Sequence, residues 1–404
     1  MTNKHAFQSA GILATSMLLA LPGDSAAAID EFSPYAFAGV FYDSNVFRLP
    51  NRQAAIDVTG DDQMDDTTNH LGAGFNADWK LSRQHFLFGG RADQSRYHTF
   101  DQLDNTALFG QATWDWQIGN LWSGNLGTTY DKHLSSFNEN RLPVKDMRTE
   151  KDGNFTAQYA IHPDWRLVAG LGVSDVEFQK RNYLNRKSNS GVFAVQYQNT
   201  RSSRVGVRFT LTDYDLNDVV VPGVGTVSND YKEYNVSGVF YWEGSQKSTF
   251  ELDLGYTRQK YDEVDLREFK GTTGNLTYHW MVTGKTKLDI SVWHDTSTLD
   301  DEIEGYVVTT GMSLRPSWSV TPVISLGGVL QYKNDDFKGR NQVVGVIGGA
   351  KREDDTWLYG VLASWSPRTY VSLSLGLQQE NRDSNVSFND FDDTRADAEL
   401  RFTF

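Results

Sequence analysis

The sequence predicts an all-β chain folded as an up-and-down antiparallel transmembrane β-barrel of about eighteen strands, with sixteen as the alternative and no plug domain. Three observations predict it. Long segments alternate apolar and polar residues with a period of two, which gives each strand one greasy and one wet face. The linkers between these segments alternate between short and long. Tryptophans gather beside the short linkers, where indole rings of a membrane barrel meet the headgroup zone.

The first element in chain order is a leader. Lys4 supplies a positive charge, residues 11–21 (GILATSMLLAL) form an apolar stretch too short to span a bilayer, and Ala26-Ala27-Ala28 offers a small-residue cleavage site. Residues 1–28 therefore read as a secretory signal peptide and 29–404 as the barrel. Only Ile29 to Pro34 precede the first run, which leaves no room for a plug or a periplasmic module.

The alternating runs follow near residues 35–43, 68–81, 84–97, 106–117, 121–132, 151–161, 165–177, 189–199, 203–213, 230–242, 248–260, 268–281, 285–295, 304–318, 321–334, 355–365, 369–382 and 392–404. In the second run Leu71, Ala73, Phe75, Ala77, Trp79 and Leu81 oppose Gly72, Gly74, Asn76, Asp78 and Lys80. In the seventeenth, Val371, Leu373, Leu375 and Leu377 oppose Ser372, Ser374, Gly376, Gln378 and Glu380. Runs of about 10–14 residues suit a tilted membrane crossing and exceed the usual strand of a soluble sandwich. Short linkers are Ser82-Arg83, Ile118-Gly119-Asn120, His162-Pro163-Asp164, Glu243 to Lys247, Val282-Thr283-Gly284 and Ser366-Pro367-Arg368; long ones are 44–67, 133–150, 214–229 and 335–354. An even strand count puts both termini on the short-turn, periplasmic side. Trp79, Trp114, Trp116, Trp122, Trp165, Trp242, Trp280, Trp318 and Trp365 then form an aromatic girdle at that side.

Composition agrees. Only 39% of residues are hydrophobic, yet 13% are aromatic, because only every second strand residue meets lipid. With 0 Cys there is no disulfide framework, thiolate metal site or thiol nucleophile. The net charge of -14, without a basic stripe, excludes nucleic acid as a natural partner. Acidic residues concentrate between strands, at residues 57–66 (DVTGDDQMDD), 300–304 (DDEIE) and 353–355 (EDD), and read as solvated loop charge or as cation- and lipopolysaccharide-facing groups.

Counting from the lipid face gives the lumen face. Its candidate lining residues are Arg91, Asp93, Asp115, Arg166, Arg208, Asp253, Lys287, Asp289, Trp293 and Arg315, joined by Asp78, Lys80, Glu251, Glu380, Asp397, Glu399 and Arg401. The mixture of signs fits either mutual pairing within the wall or a polar path for a hydrophilic solute. Trp293 and Tyr241 share this face and present rings on which a sugar could stack. No His-Glu-x-x-His pattern or serine elbow is present, so no catalytic, cofactor or metal residues are assigned. His279 and His294 fall on different faces of adjacent strands, against a metal pair.

The final run carries Leu400, Phe402 and the terminal Phe404 on its apolar face, which resembles the signal read by the outer-membrane barrel-assembly machinery of Gram-negative bacteria. Further motifs are residues 42–50 (YDSNVFRLP), 352–357 (REDDTW), 365–368 (WSPR) and 382–385 (RDSN). Their order and placement resemble the EpsL-like outer-membrane barrels of exopolysaccharide operons, a family linked to exosortase systems. The resemblance implies a polysaccharide substrate exported from periplasm to surface, with inner-membrane and periplasmic synthesis and export proteins as partners beside outer-membrane lipid and lipopolysaccharide. A general or sugar-specific diffusion porin is the alternative, and an outer-membrane enzyme or scaffold with a loop-filled lumen the third reading. Asp43, Asn45, Phe47 and Arg48 stand where the first strand enters a long loop, as candidate constriction or anchor residues that would hold the loop inside the pore.

Overall fold

The computed structural model of the protein describes residues 31–138, 140–199, 203–221, 225–262, 268–297, 306–338 and 351–404. The expected leader over residues 1–28 lies outside them. The strands are β1 (Glu31–Asp43), β2 (Asp66–Leu81), β3 (Gln84–Tyr97), β4 (Asn105–Ile118), β5 (Trp122–Leu134), β6 (Met147–His162), β7 (Trp165–Phe178), β8 (Arg186–Gln198), β9 (Arg204–Leu216), β10 (Val219–Val221), β11 (Gly225–Val227), β12 (Tyr231–Ser245), β13 (Ser248–Tyr261), β14 (Phe269–Met281), β15 (Thr286–Ser297), β16 (Tyr306–Thr321), β17 (Ile324–Lys338), β18 (Glu353–Arg368), β19 (Val371–Ser384) and β20 (Phe391–Thr403). All but β10 and β11 form one 18-stranded sheet. Each strand pairs antiparallel with its chain neighbour, and β1 pairs with β20 from Tyr35↔Thr403 to Asp43↔Arg395, so the sheet closes on itself. Closure leaves no unpaired edge, which is the condition for a sheet to cross lipid.

Residues opposite one another in an antiparallel register share a face, so the pairing carries the face assignment around the wall. The Leu71 face turns outward: Leu71 and Leu171 are both 64% exposed, as are Val207, Val361 and Leu377 to lesser degrees, because lipid rather than protein covers them. Of the girdle tryptophans, all but Trp116 are exposed on this outer face beside the short turns. Trp116 is buried because it stacks 6.1 Å from Phe155 and lies over Gly124. His279 faces inward opposite Asp289, while His294 faces outward opposite Gly274.

The structure departs from the expected linkers in several places. β1 starts at Glu31 and includes Pro34. Ser366-Pro367-Arg368 stays within β18, and the turn falls at Thr369-Tyr370, because Arg368 still pairs with Val371 beyond a β-bulge. The segment after β1 contains a helix, α1 (Arg52–Thr59), capped by the Asn51 side chain and closed by Gly60 in the left-handed region at φ 85°. The loop after β9 contains the β10–β11 hairpin. Short helices and loop hairpins do not announce themselves among turn residues by period, which is why neither was expected.

Candidate permeation path and its inward loop

The lumen wall is built from the residues opposite to the lipid face. The register places Arg91, Asp93, Asp115, Arg166, Arg208, Asp253, Lys287, Asp289, Trp293 and Arg315 on it. In the half nearer the short turns these groups are half-exposed and mostly paired. His85 lies between Asp78 at 2.8 Å and Asp115 at 3.8 Å, and Asp115 also accepts from Asn125 Nδ2 at 2.7 Å. Across the barrel, His279 lies between Asp289 at 2.6 Å and Glu251 at 4.0 Å. Arg208 pairs with Asp253, and Arg91 with Asp93 at 2.9 Å. Arg166, Lys287 and Arg315 make no ion pair among the described residues. Trp293 lies flat over Gly311, whose missing side chain makes the space for the indole.

Two rings missed at the sequence level also face the lumen. Phe37 packs under the Arg91 guanidinium at 4.1 Å, and Tyr35 under Arg401 at 4.5 Å. Gly72 and Gly74 are the floor for these rings. A Cβ on Gly72 would meet Phe37 Cζ at 2.3 Å and the Ala92 carbonyl at 2.5 Å. Gly72→Ala is therefore expected to displace Phe37 from Arg91 and to cost about 1–3 kcal/mol, read as a lower urea midpoint of the folded barrel in detergent.

Toward the long loops the wall changes character. Charged side chains on or beside β1, β20, β19, β18 and β17 are buried in a belt of three ion-pair clusters. Asp43 takes both guanidinium nitrogens of Arg48, at 3.0 and 2.9 Å, and Arg48 Nη2 also lies 3.3 Å from Asp393. Arg395 bridges Asp393 and Glu380. Arg352 binds Asp354 at 2.6 Å, Arg382 stands 3.7 Å from the same carboxylate, and Lys333 binds Asp335 at 2.6 Å. Asp354 is 0% exposed, so the acidic run 353–355 is not merely solvated loop charge. Asp66 corrects the other acidic run in the same way: its carboxylate accepts the backbone N–H groups of Thr67, His98, Thr99 and Phe100, tying the loop after β3 to the start of β2.

The belt is buried because loops fold onto it. The loop 44–65 turns back at once: Asn45 N donates to Asp43 Oδ1 at 2.8 Å, and the Asn45 side chain donates to the carbonyls of Leu49 and Asp392. Arg48 adopts φ 56°, a left-handed conformation that aims its guanidinium at the lumen carboxylates. Burial alone would favour a neutral Arg48, but the Asp43 and Asp393 carboxylates outweigh it and hold the proton more tightly. The loop then packs Val46, Phe47, Leu49, Ala54 and Ala55 against Phe100 and Leu103 of the loop after β3 in a shared core. Phe47 is 1% exposed and meets the rings of Phe100 and Phe137 edge-on at 4.8 and 4.9 Å. A second loop, between β5 and β6, reaches the β19 side although β20, β1, β2, β3 and β4 lie between. Arg382 donates to the Asn138 carbonyl at 3.0 Å and Arg141 to the Asn389 carbonyl at 2.8 Å.

Three of the four motifs singled out in the sequence thus meet in space, while residues 365–368 lie at the opposite, short-turn end of β18. Ser384 Oγ donates to Asp354 at 2.6 Å, Asn385 Oδ1 accepts from Glu353 N at 3.0 Å, and the Asp43–Arg48 turn abuts Asp393 beside them. Arg352, Asp354, Arg382, Arg395 and Asp393 were not picked as site residues. Arg352, Asp354 and Arg382 fall inside the quoted motifs, and strand parity alone places Arg395 and Asp393 on the inner face.

Residues 225–404, somewhat under half of the chain, match a family model described as "Putative beta-barrel porin 2". The protein is a closed 18-stranded β-barrel whose C-terminal part matches a porin family model. Among solved structures, the chain is similar to the outer membrane protein OpdK of Pseudomonas aeruginosa, at 11% identity and a TM-score of 0.49 over 93% of this chain and 99% of that one. It is also similar to OccAB3 of Acinetobacter baumannii (10% identity, TM-score 0.48, 92% and 99% covered). A BenF-like porin of Pseudomonas fluorescens Pf-5 is similar at 9% identity and a TM-score of 0.47, with 92% and 98% covered. No curated protein matches the chain.

Proposed function

We propose that this porin is a diffusion channel for small hydrophilic solutes, the loop 44–65 setting the size of what passes. The observation that carries the reading is the anchoring of that loop. A segment packed into an apolar core with the loop after β3, and bound through Asn45 to the Asp392 carbonyl and through Arg48 to lumen carboxylates, narrows the path by a built wall rather than by a mobile strand. The wall below it holds charges of both signs at half-exposed positions, which favours neutral or zwitterionic solutes such as small sugars over ions of one sign.

Export of an exopolysaccharide, the reading implied by the motif resemblance, has less support. Asp354, Arg382, Ser384 and Asn385 clamp loops and strand ends to one another, a task any loop-gated barrel requires. Swelling of liposomes containing the purified barrel separates the two. Entry of mono- and disaccharides, falling steeply with sugar size, is the expected result. Exclusion of monosaccharides, together with loss of surface polymer and its accumulation in the periplasm of a deletion strain, would overturn it in favour of export.

A further inference from the structure

We propose that the outer face of β12, β13 and β14, at the long-loop rim, is a binding site for the phosphorylated headgroup of an outer-leaflet glycolipid. Four cations crowd there. Lys232 stands directly opposite Lys260, and Arg258 directly opposite Lys270. Like charges across an antiparallel pair destabilise a sheet, so the arrangement calls for an anion between them. Among the described residues, Glu268 lies 2.8 Å from Lys270 and 3.8 Å from Arg258, and Asp213 lies 3.0 Å from Lys232. Lys260 makes no ion pair within 4 Å among the described residues; Glu268 acts on it at longer range, and Asp262, just beyond the strand, acts on Lys232.

The surroundings point to an amphiphile rather than a free anion. Immediately toward the membrane on the same face lie Tyr234, Val236, Leu254 and Tyr256, all exposed. The inward neighbours Tyr231, Gln259 and Tyr261 are buried, so the cations are held on the lipid side. Acyl chains on the apolar belt would bring phosphates to the height of the four cations, where Arg258 offers a planar fork and the lysines point charges. Lys151, on the outer face of β6, sits instead between Asp175 at 3.7 Å and Glu177 at 3.1 Å.

The test is retention of rough lipopolysaccharide by the purified full barrel in detergent, read by native mass spectrometry after gel filtration. The wild type is expected to keep the glycolipid, the variant Lys232→Gln/Arg258→Gln/Lys260→Gln/Lys270→Gln to lose about tenfold in affinity, and Lys132→Gln/Lys151→Gln/Lys187→Gln to behave as wild type. Dephosphorylated lipid A is expected to bind no better than neutral lipid. Equal retention by the fourfold variant, equal loss in the control variant, or equal binding of phosphatidylglycerol would overturn the site. Should the fourfold variant fail to migrate as a folded barrel on unheated gels, Lys260→Gln and Arg258→Gln/Lys260→Gln carry the same comparison. Solute passage does not enter the readout, so the proposed pore function stands or falls separately.

Discussion

Replacing Arg48 by Met is expected to release the loop 44–65 from the lumen wall, with a rise in single-channel conductance and a large loss of stability. Arg48 is buried and faces two carboxylates, Asp43 and Asp393, that are themselves buried. Removing the cation leaves Asp43 without its ion-pair partner and Asp393 with Arg395 alone. Breaking a buried pair from one side costs about 3–5 kcal/mol, mostly because the remaining charge stays desolvated. The cheapest relief is for the loop to lift and admit water to the carboxylates, which opens the path. Restoring neutrality should then restore stability: Arg48→Met combined with Asp43→Asn is expected to be more stable than Arg48→Met alone. The non-additivity is read from a double-mutant cycle in urea, and conductance from planar bilayers. A folded Arg48→Met barrel with unaltered conductance would show that the loop does not set the pore.

The second large effect concerns assembly rather than the assembled state. Phe404→Ala is expected to remove most of the barrel from the outer membrane of cells while leaving the folded barrel nearly as stable as wild type. Phe404 is 78% exposed, so its ring adds little packing, and its backbone N–H donates to the Pro34 carbonyl at 2.8 Å in a bond that alanine keeps. If Leu400, Phe402 and Phe404 act as an assembly signal, the ring acts before closure, when the β20 face is still open. Unheated gel mobility of protein refolded in detergent, set beside the outer-membrane level in cells, distinguishes the two stages. A matching loss in both would make Phe404 a packing residue and reject the signal role.

Strand number, lengths and faces were legible in the chain because the period of a strand is two and lipid tolerates only one of its faces. Leu71 to Leu81 show it most plainly: one parity is exposed to lipid, the other lines the lumen. The same rule placed Arg91, Trp293 and Arg315 on the inner face without any knowledge of their partners. Parity says nothing, however, about height or about what fills the lumen. It could not show that Asp43 and Asp393 share Arg48, since these residues are far apart in the chain and become neighbours only when β1 pairs with β20.

Alternation, turn spacing and the placement of tryptophans determined by themselves that this chain closes as a barrel of about eighteen strands with one wall to lipid and one to water. Only the tertiary structure decided which inner charges are spent on one another, which loops fold back onto them, and where cations are left facing the membrane. The reason is physical. A strand's face is a local property of its own backbone, whereas the partner of a buried charge is set by closure of the sheet and by loops that cross from distant strands.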